Sequence, residues 1–395
     1  MLKGKHVLLG ITGSIAAYKI ANLASMLVKL NADVHVIMTK NAEQFISPIT
    51  FETLTGNKVI DDTFERSSGY HVAHIAMAAE ADIVMIAPAS ANVIAKLSHG
   101  IADDMLTSTM LACTAPILVS PAMNTHMYEN PITQENIEKL KNLGYKLIEP
   151  ASGYLACGDT GRGKMPDSEV LLDCILQEIA CKKDMEGKKV LITAGPTRES
   201  LDPVRYITNH STGKMGYALA ENAARRGAEV TLVSGPTRIE KPPFVKVIDV
   251  TTAEEMYQAV EKEFDSQDIV VMSAAVADYR PVTVADNKIK KSDGEMSILL
   301  ERTRDILGTL AQQKKQQFVC GFSMETENML KNSKAKLVKK NLNMIVANNL
   351  KVAGAGFGTD TNIVTVITEG SCEELPIMKK EEVAGAIFDR ILNKI

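Results

Sequence analysis

Cys157 stands in the run Gly153-Tyr154-Leu155-Ala156-Cys157-Gly158-Asp159-Thr160-Gly161-Arg162-Gly163-Lys164, where four glycines surround one thiol. Glycine at that density favours mobility over packing, so the setting suits a cysteine delivered by a flap rather than one buried in a core. His71 and His74 stand three residues apart, a spacing that invites a metal reading. Their small and apolar neighbours suit a packed helix equally, and with no third ligand nearby the pair does not read as a metal site. In the other half of the chain, Lys288, Lys290 and Lys291 follow Asp278. Three ammonium groups beyond a strand-end aspartate can neutralise a triphosphate, whose transfer chemistry depends on positioned charge. A lysine run also describes a solvated face, so both readings stand.

These groups need elements to hold them, and the chain supplies two similar sets. Gly4-Lys5-His6-Val7-Leu8-Leu9-Gly10 is echoed by Gly187-Lys188-Lys189-Val190-Leu191-Ile192-Thr193. The echo continues at Ala32–Ile37 and Ala228–Val233, then at Ala81–Ile86 and Gln267–Met272. Short β-branched runs bounded by Gly or Asp, each followed by a helical pattern, read as parallel strands with crossovers. The predicted fold is α/β: two Rossmann-like, flavodoxin-like parallel-sheet domains in series, 1–181 and 187–395, joined by a charged junction near 181–187. Ligands in such sheets bind beyond the carboxyl ends of the strands.

Three strand ends of the first half carry small polar residues: Gly13-Ser14-Ile15, Pro88-Ala89-Ser90-Ala91-Asn92 and Ser120-Pro121-Ala122-Met123-Asn124. Such residues let a flat ring and its phosphate approach the backbone, and a helix N-terminus favours the phosphate. The first turn is equally a tight βα turn without a ligand. Neither it nor its counterpart at Ala194-Gly195-Pro196 has the G-x-G-x-x-G or Walker pattern, which argues against a nucleotide-dependent oxidoreductase. In the second half the segment Thr197–Ser211, containing Asn209, separates the first strand from its helix. An insertion there is a functional candidate.

Composition narrows the classes further. A chain of 395 residues, 45% hydrophobic and 23% charged, reads as a globular protein of two or three domains. A net charge of −4 offers no field for nucleic acid or an anionic membrane, and neither is expected as a partner. Six cysteines without a C-x-x-C pair, no apolar run of spanning length and no signal-like start predict a reducing, cytoplasmic setting. No structural metal site is evident.

Gly13-Ser14-Ile15-Ala16-Ala17-Tyr18-Lys19, Pro88–Asn92, Pro121-Ala122-Met123-Asn124-Thr125-His126-Met127 and the cysteine flap together resemble the flavin-dependent cysteine decarboxylases. Residues 187–395 resemble phosphopantothenate-cysteine ligases, with a close motif match in the loop Leu201–Gly216. The whole chain thus resembles the bifunctional bacterial coenzyme A biosynthesis flavoproteins, in which phosphopantothenoylcysteine decarboxylase is fused to the ligase. That resemblance implies FMN held by Gly13, Ser14, Ile15, Thr39, Ser90, Ala91, Asn92, Ala122 and Met123. It implies His74 as acid/base, Asn124 as holder of the substrate carboxylate, and Cys157 as proton donor. A cysteine carboxylate lacks an electron sink, and flavin oxidation of the thiol to a thioaldehyde supplies one.

For the second half the resemblance implies CTP, with Mg²⁺ on its phosphates, held by Ala274, Asp278, Lys288, Arg304, Asp305, Ile306, Leu307, Phe322, Lys336 and Lys340. Lys288 would assist formation of an acyl-cytidylate from 4′-phosphopantothenate, and Asn209 its capture by cysteine. It also implies a homo-oligomer, decarboxylase trimers joined by ligase dimers. Three positions depart from the family pattern: Tyr128 replaces Trp, Lys164 replaces Arg, and Arg304 replaces Pro. A peptidyl-cysteine decarboxylase would lack the ligase-like half, and a non-catalytic relative would lack His74, Asn124 and Cys157.

Overall fold

The β-branched runs form parallel strands buried on both faces, as their composition requires. A computed structural model describes residues 1–64, 72–154, 158, 160–290, 296–325, 328–349 and 358–395. They belong to two units, Met1–Lys182 and Lys183–Ile395.

In the first unit β1 (His6–Ile11), β2 (Asp33–Met38), β3 (Ile83–Ala89), β4 (Ile117–Pro121) and β5 (Lys146–Leu147) make a parallel sheet ordered β2-β1-β3-β4-β5. This is the flavodoxin-like order. Its helices are α1 (Ile20–Lys29), α2 (Pro48–Thr55), α3 (Ala73–Glu80), α4 (Ala91–His99), α5 (Met105–Ala112), α6 (Thr125–Glu129), α7 (Pro131–Asn142) and α8 (Ser168–Ile179). Alternation along β1 sends Val7, Leu9 and Ile11 into a core with Leu23, Leu27 and Ile175, and Leu8 into a second core with Val93, Leu106 and Ile137. Burying each such side chain contributes about 1.5–3 kcal/mol. An antiparallel hairpin of β6 (Ala151–Tyr154) and β7 (Thr160–Lys164) carries the glycine-rich flap. Beyond β2, among the described residues, the sheet has only a single parallel bridge, Ile37 to Ile60.

The second unit runs β8 (Lys189–Ala194), β9 (Arg198–Ser200), β10 (Tyr206–Thr208), α9 (Lys214–Arg225), β11 (Glu229–Ser234), β12 (Lys246–Asp249), α10 (Ala253–Phe264), β13 (Ile269–Met272), β14 (Tyr279–Pro281), β15 (Leu300–Arg302), α11 (Ile306–Gln312), β16 (Phe318–Glu325), α12 (Met329–Lys339), β17 (Met344–Asn349), β18 (Thr361–Asn362), β19 (Val364–Ile367), β20 (Cys372–Glu374), β21 (Met378–Lys379) and α13 (Lys380–Leu392). Its main sheet is ordered β12-β11-β8-β13-β16-β17-β19-β20. The first six strands are parallel and wound in the dinucleotide-fold order, and the last two are antiparallel. The halves therefore share an α/β architecture but differ in strand order, which the single label predicted for both does not distinguish.

Residues 183–187, read from sequence as junction, pack on the second unit. Met185 is fully buried in its core, and the Arg226 guanidinium bonds both oxygens of Asp184 at 2.7 Å and Asp389 at 2.7 Å. After β1 a short 3₁₀ turn, Ile15–Lys19, precedes α1.

Candidate functional site

The carboxyl ends of β1, β3 and β4 are tied together by their own polar atoms. Thr12, fully buried after β1, donates its hydroxyl to the Pro88 carbonyl at 2.6 Å and accepts the Ser90 N–H at 2.9 Å. The Ala122 N–H bonds the Ala89 carbonyl at 3.0 Å. Ser14 and Ser90 cap the 3₁₀ turn and α4, accepting from Ala16 and Val93 N–H at 3.4 Å each. Gly13 is needed for proximity, because a Cβ there would lie 2.6 Å from that of Asn41. The Thr39 N–H bonds the Ile11 carbonyl at 3.0 Å, so the β2 end joins this group. The Thr39 hydroxyl oxygen is buried without a hydrogen-bond partner among the described residues, a cost of about 1–3 kcal/mol unless something else satisfies it.

The flap hairpin seats on the loop after β4 through the Met123 N–H and the Gly163 carbonyl, 3.1 Å apart. Asn124 caps α6, its Oδ1 accepting the His126 N–H at 2.8 Å. Tyr128 is buried, with its hydroxyl 3.4 Å from Glu149 and the Arg162 guanidinium 5.7 Å from its ring centre. The predicted Gly13, Ser14, Ile15, Thr39, Ser90, Ala91, Asn92, Ala122, Met123 and Asn124 thus occupy neighbouring strand ends. His74 is half-buried in the first turn of α3, and among the described residues no hydrogen bond or ion pair ties it to these loops. His71 and Cys157 lie outside the described residues.

In the second unit the insertion after β8 is a hairpin, β9 against β10, and Asn209 follows it. Asn209 Nδ2 donates to the carbonyls of Ala275 and Val276 at 3.0 and 3.2 Å, which fixes it at the carboxyl end of β13. Thr197 accepts the Ala277 N–H at 2.9 Å, and Thr193 accepts that of Ala274 at 3.1 Å. Gly213 starts α9 at φ 83°, and Gly195 lies at φ 75°; both face Thr237, which a Cβ would meet within 2.8 Å.

Asp202 is the residue that sequence reasoning left without a role. Its carboxylate is fully buried and accepts the N–H groups of Val204 and Arg205 at 2.8 Å each and that of Ile289 at 3.0 Å, with Arg205 Nε at 3.2 Å. Burial pushes its pKa up, but the three N–H bonds and Arg205 outweigh this and hold it below the usual value. It joins the β9–β10 region to the segment presenting the exposed Lys288. The signal was present in Asp202-Pro203, since Asp before Pro initiates turns whose amides it accepts.

The remaining assigned residues cluster separately around α11. Asp305 caps α11 through the Gly308 N–H at 2.9 Å and pairs with Lys340 at 2.8 Å, while Lys336 pairs with Glu325 at 2.6 Å. Burial raises the pKa of both carboxylates, but their lysine partners hold them below the usual values. Half-exposed pairs contribute only about 0–1 kcal/mol, so an incoming polyanion can take over either lysine. Leu307 covers Gly321, beside the half-buried Phe322, and Arg304 lies over the Tyr257 ring at 4.1 Å. Thr303 links this turn to Ala277 and Asp278, bonding their carbonyls at 2.6 and 3.0 Å.

The flavoprotein family model matches residues 1–180, and the DNA/pantothenate metabolism flavoprotein C-terminal domain model matches residues 185–395. The coenzyme A biosynthesis bifunctional protein CoaBC of Bacillus subtilis is 49% identical over 99% of this chain and 97% of its own. The protein of the same name from Escherichia coli is 42% identical, over 100% and 98%. Among solved structures, the C-terminal domain of a CoaBC protein is 45% identical, covering 53% of this chain and 96% of its own, with a TM-score of 0.46. The FMN-dependent cysteine decarboxylase SpaF is 32% identical, covering 42% and 93%, with a TM-score of 0.38. No helix among the described residues is long and apolar enough to cross a membrane. The chain belongs to the bifunctional enzymes of coenzyme A biosynthesis, a flavoprotein domain followed by a DNA/pantothenate-metabolism domain.

Proposed function

We propose that residues 187–395 join 4′-phosphopantothenate to cysteine at the expense of CTP, and that residues 1–181 decarboxylate the resulting phosphopantothenoylcysteine to 4′-phosphopantetheine. The observation carrying this reading is the gathering, at the strand ends of each unit, of residues far apart in sequence: Thr12, Thr39, Ser90 and Ala122 in one, Asn209, Ala275 and Asp278 in the other.

The first group fits FMN. The partnerless Thr39 hydroxyl beside the Gly13 turn, and the capped helix starts at Ser14 and Ser90, are what a phosphate-bearing cofactor would satisfy. Bound there, FMN supplies the two-electron oxidation that gives the departing carboxylate its electron sink. Ile15, Ala91, Asn92, Ala122 and Met123 complete the cofactor wall. The Asn124 amide orients the substrate carboxylate, His74 moves the proton of the reacting thiol, and Cys157 returns a proton to carbon at the end.

In the second unit Lys288, Lys336 and Lys340 neutralise the CTP phosphates, accompanied by Mg²⁺, while Ala274, Asp278, Phe322 and the turn Arg304-Asp305-Ile306-Leu307 hold the nucleoside. The substrate carboxylate attacks the α-phosphorus, releasing pyrophosphate, and the cysteine amine then displaces CMP from the acyl-cytidylate. Asn209 acts in the second step. Its Nδ2 hydrogens are engaged by Ala275 and Val276, which leaves Oδ1 as the acceptor toward the attacking amine. The protein is taken as a cytoplasmic homo-oligomer, decarboxylase trimers joined by ligase dimers, binding neither nucleic acid nor membrane.

The test is one purified sample assayed twice. It should carry a flavin visible spectrum, and with phosphopantothenate and labelled CTP but no cysteine it should accumulate acyl-cytidylate. A colourless chain that takes up no added FMN removes the first assignment, and failure to form the acyl-cytidylate removes the second.

A further inference from the structure

At the amino edge of the first sheet, opposite the strand ends that hold the proposed flavin site, three donors from neighbouring strands converge. His6 on β1 is in register with Asp33 on β2, and His35 lies two residues further along β2 on the same face. One carboxylate oxygen, Asp33 Oδ2, lies 3.3 Å from His6 Nδ1 and 3.4 Å from His35 Nε2, and all three donor atoms are within 4.8 Å of one another. We propose that His6, Asp33 and His35 bind one divalent cation of the zinc type.

Hydrogen bonding explains the arrangement poorly. An N–H···O bond centres on about 2.9–3.0 Å, and His6 Nδ1 is buried without a hydrogen-bond partner among the described residues although its ring is partly exposed. Separations of 3.3 and 3.4 Å instead match the edge of a tetrahedron of ligands around zinc, about 3.3 Å for metal–ligand bonds of about 2.0–2.1 Å. Two imidazoles and one carboxylate are a borderline donor set, suited to Zn²⁺ and disfavoured by Mg²⁺ or Ca²⁺. The other carboxylate oxygen, Asp33 Oδ1, accepts Asn57 Nδ2 at 2.8 Å, so the carboxylate is turned with Oδ2 toward the rings.

The surroundings favour a cation as well. His6 and His35 face Met77, Glu80 and Ala81 across a small, largely apolar gap that Asp33 does not line. Those last residues are the C-terminal end of α3, where the helix dipole is negative and Glu80 adds a carboxylate. An ion here would tie β1 and β2 beneath α3 while leaving a fourth position for water.

Zn²⁺ alone, without nucleotide, should be titrated calorimetrically into the flavin-loaded full chain, alongside His35→Gln and Asp33→Asn. Wild type should bind one ion per chain at this site, and each variant should weaken that binding tenfold or more. Carbon dioxide release by the metal-free variants should equal that of metal-free wild type, which also reports that they fold. Substitution with Co²⁺ should give the visible absorption of a tetrahedral site in wild type and not in His35→Gln. Equal Zn²⁺ affinity in wild type and both variants, or an octahedral Co²⁺ spectrum, would overturn the proposal.

Discussion

The two units begin alike and end differently. In the first, Asp82 before β3 donates its N–H to the His6 carbonyl at 2.9 Å and takes the His6 N–H on its carboxylate at 2.8 Å. In the second, Asp268 before β13 makes the same pair of bonds with Lys189 at 2.9 and 2.8 Å. The amino ends of both sheets are therefore clamped by one device. At the carboxyl ends the first unit passes from β1 through a 3₁₀ turn into a helix, whereas the second interposes the β9–β10 hairpin carrying Asp202 and leading to Asn209. Shared clamps keep a sheet in register; the chemistry diverges where the loops do.

The comparison breaks most sharply if the chemistries do not separate. His74→Asn should lower carbon dioxide release by about 100-fold or more and leave CMP release intact, while Lys288→Gln should do the reverse. Either variant impairing both reactions equally would deny that each unit works alone. Next in size, Met185→Ala should cost the second unit about 2–5 kcal/mol, since Met185 is wholly buried there. Calorimetry should show its transition falling while the flavin-reporting transition stays. Movement of both would assign residues 183–187 to a shared core.

Asp202→Asn sharpens the comparison at the loops, with an expected drop of about tenfold in acyl-cytidylate formation as the Lys288 segment loosens. An unchanged rate would make Asp202 a spectator. Because its folded pKa is depressed, its stabilisation is fully present above the unfolded value of 3.8 and is lost as pH falls from there through the lower folded value. Acid titration of wild type and Asp202→Asn should therefore converge below that pH. The smallest effect is expected from Thr39→Val. It should weaken FMN binding about fivefold, near the 1 kcal/mol of one hydrogen bond, read by equilibrium dialysis.

Much of this was legible from residue patterns. Val7–Ile11 and Val190–Ala194 announce parallel strands because burial on both faces leaves no place for polar alternation. The strand-end loops were legible too, since small residues and serine caps mark where backbone must approach a ligand. Strand order was not, because it depends on which edges pair, and local sequence says little about that. Lys183-Asp184-Met185-Glu186 looked like linker because its one apolar side chain hides among charges, and Arg226, its partner, lies far along the chain. For Asp202 the local turn was legible in Asp202-Pro203, but its bond to the Ile289 N–H, which ties that turn to the Lys288 segment, exists only after folding.

The single bridge at Ile60 has a bearing on solubility. An outermost strand exposes a row of amides and carbonyls on which a second molecule can template its own strand. Beside β2 that row is occupied from within: Asn57 Nδ2 donates to the Val34 carbonyl at 3.0 Å, the Ile60 N–H to the Val36 carbonyl at 3.1 Å, and the Met38 N–H to the Ile60 carbonyl at 3.2 Å. A segment too short to count as a strand thus acts as an edge guard, and freeing it would be expected to turn this flank of the molecule adhesive.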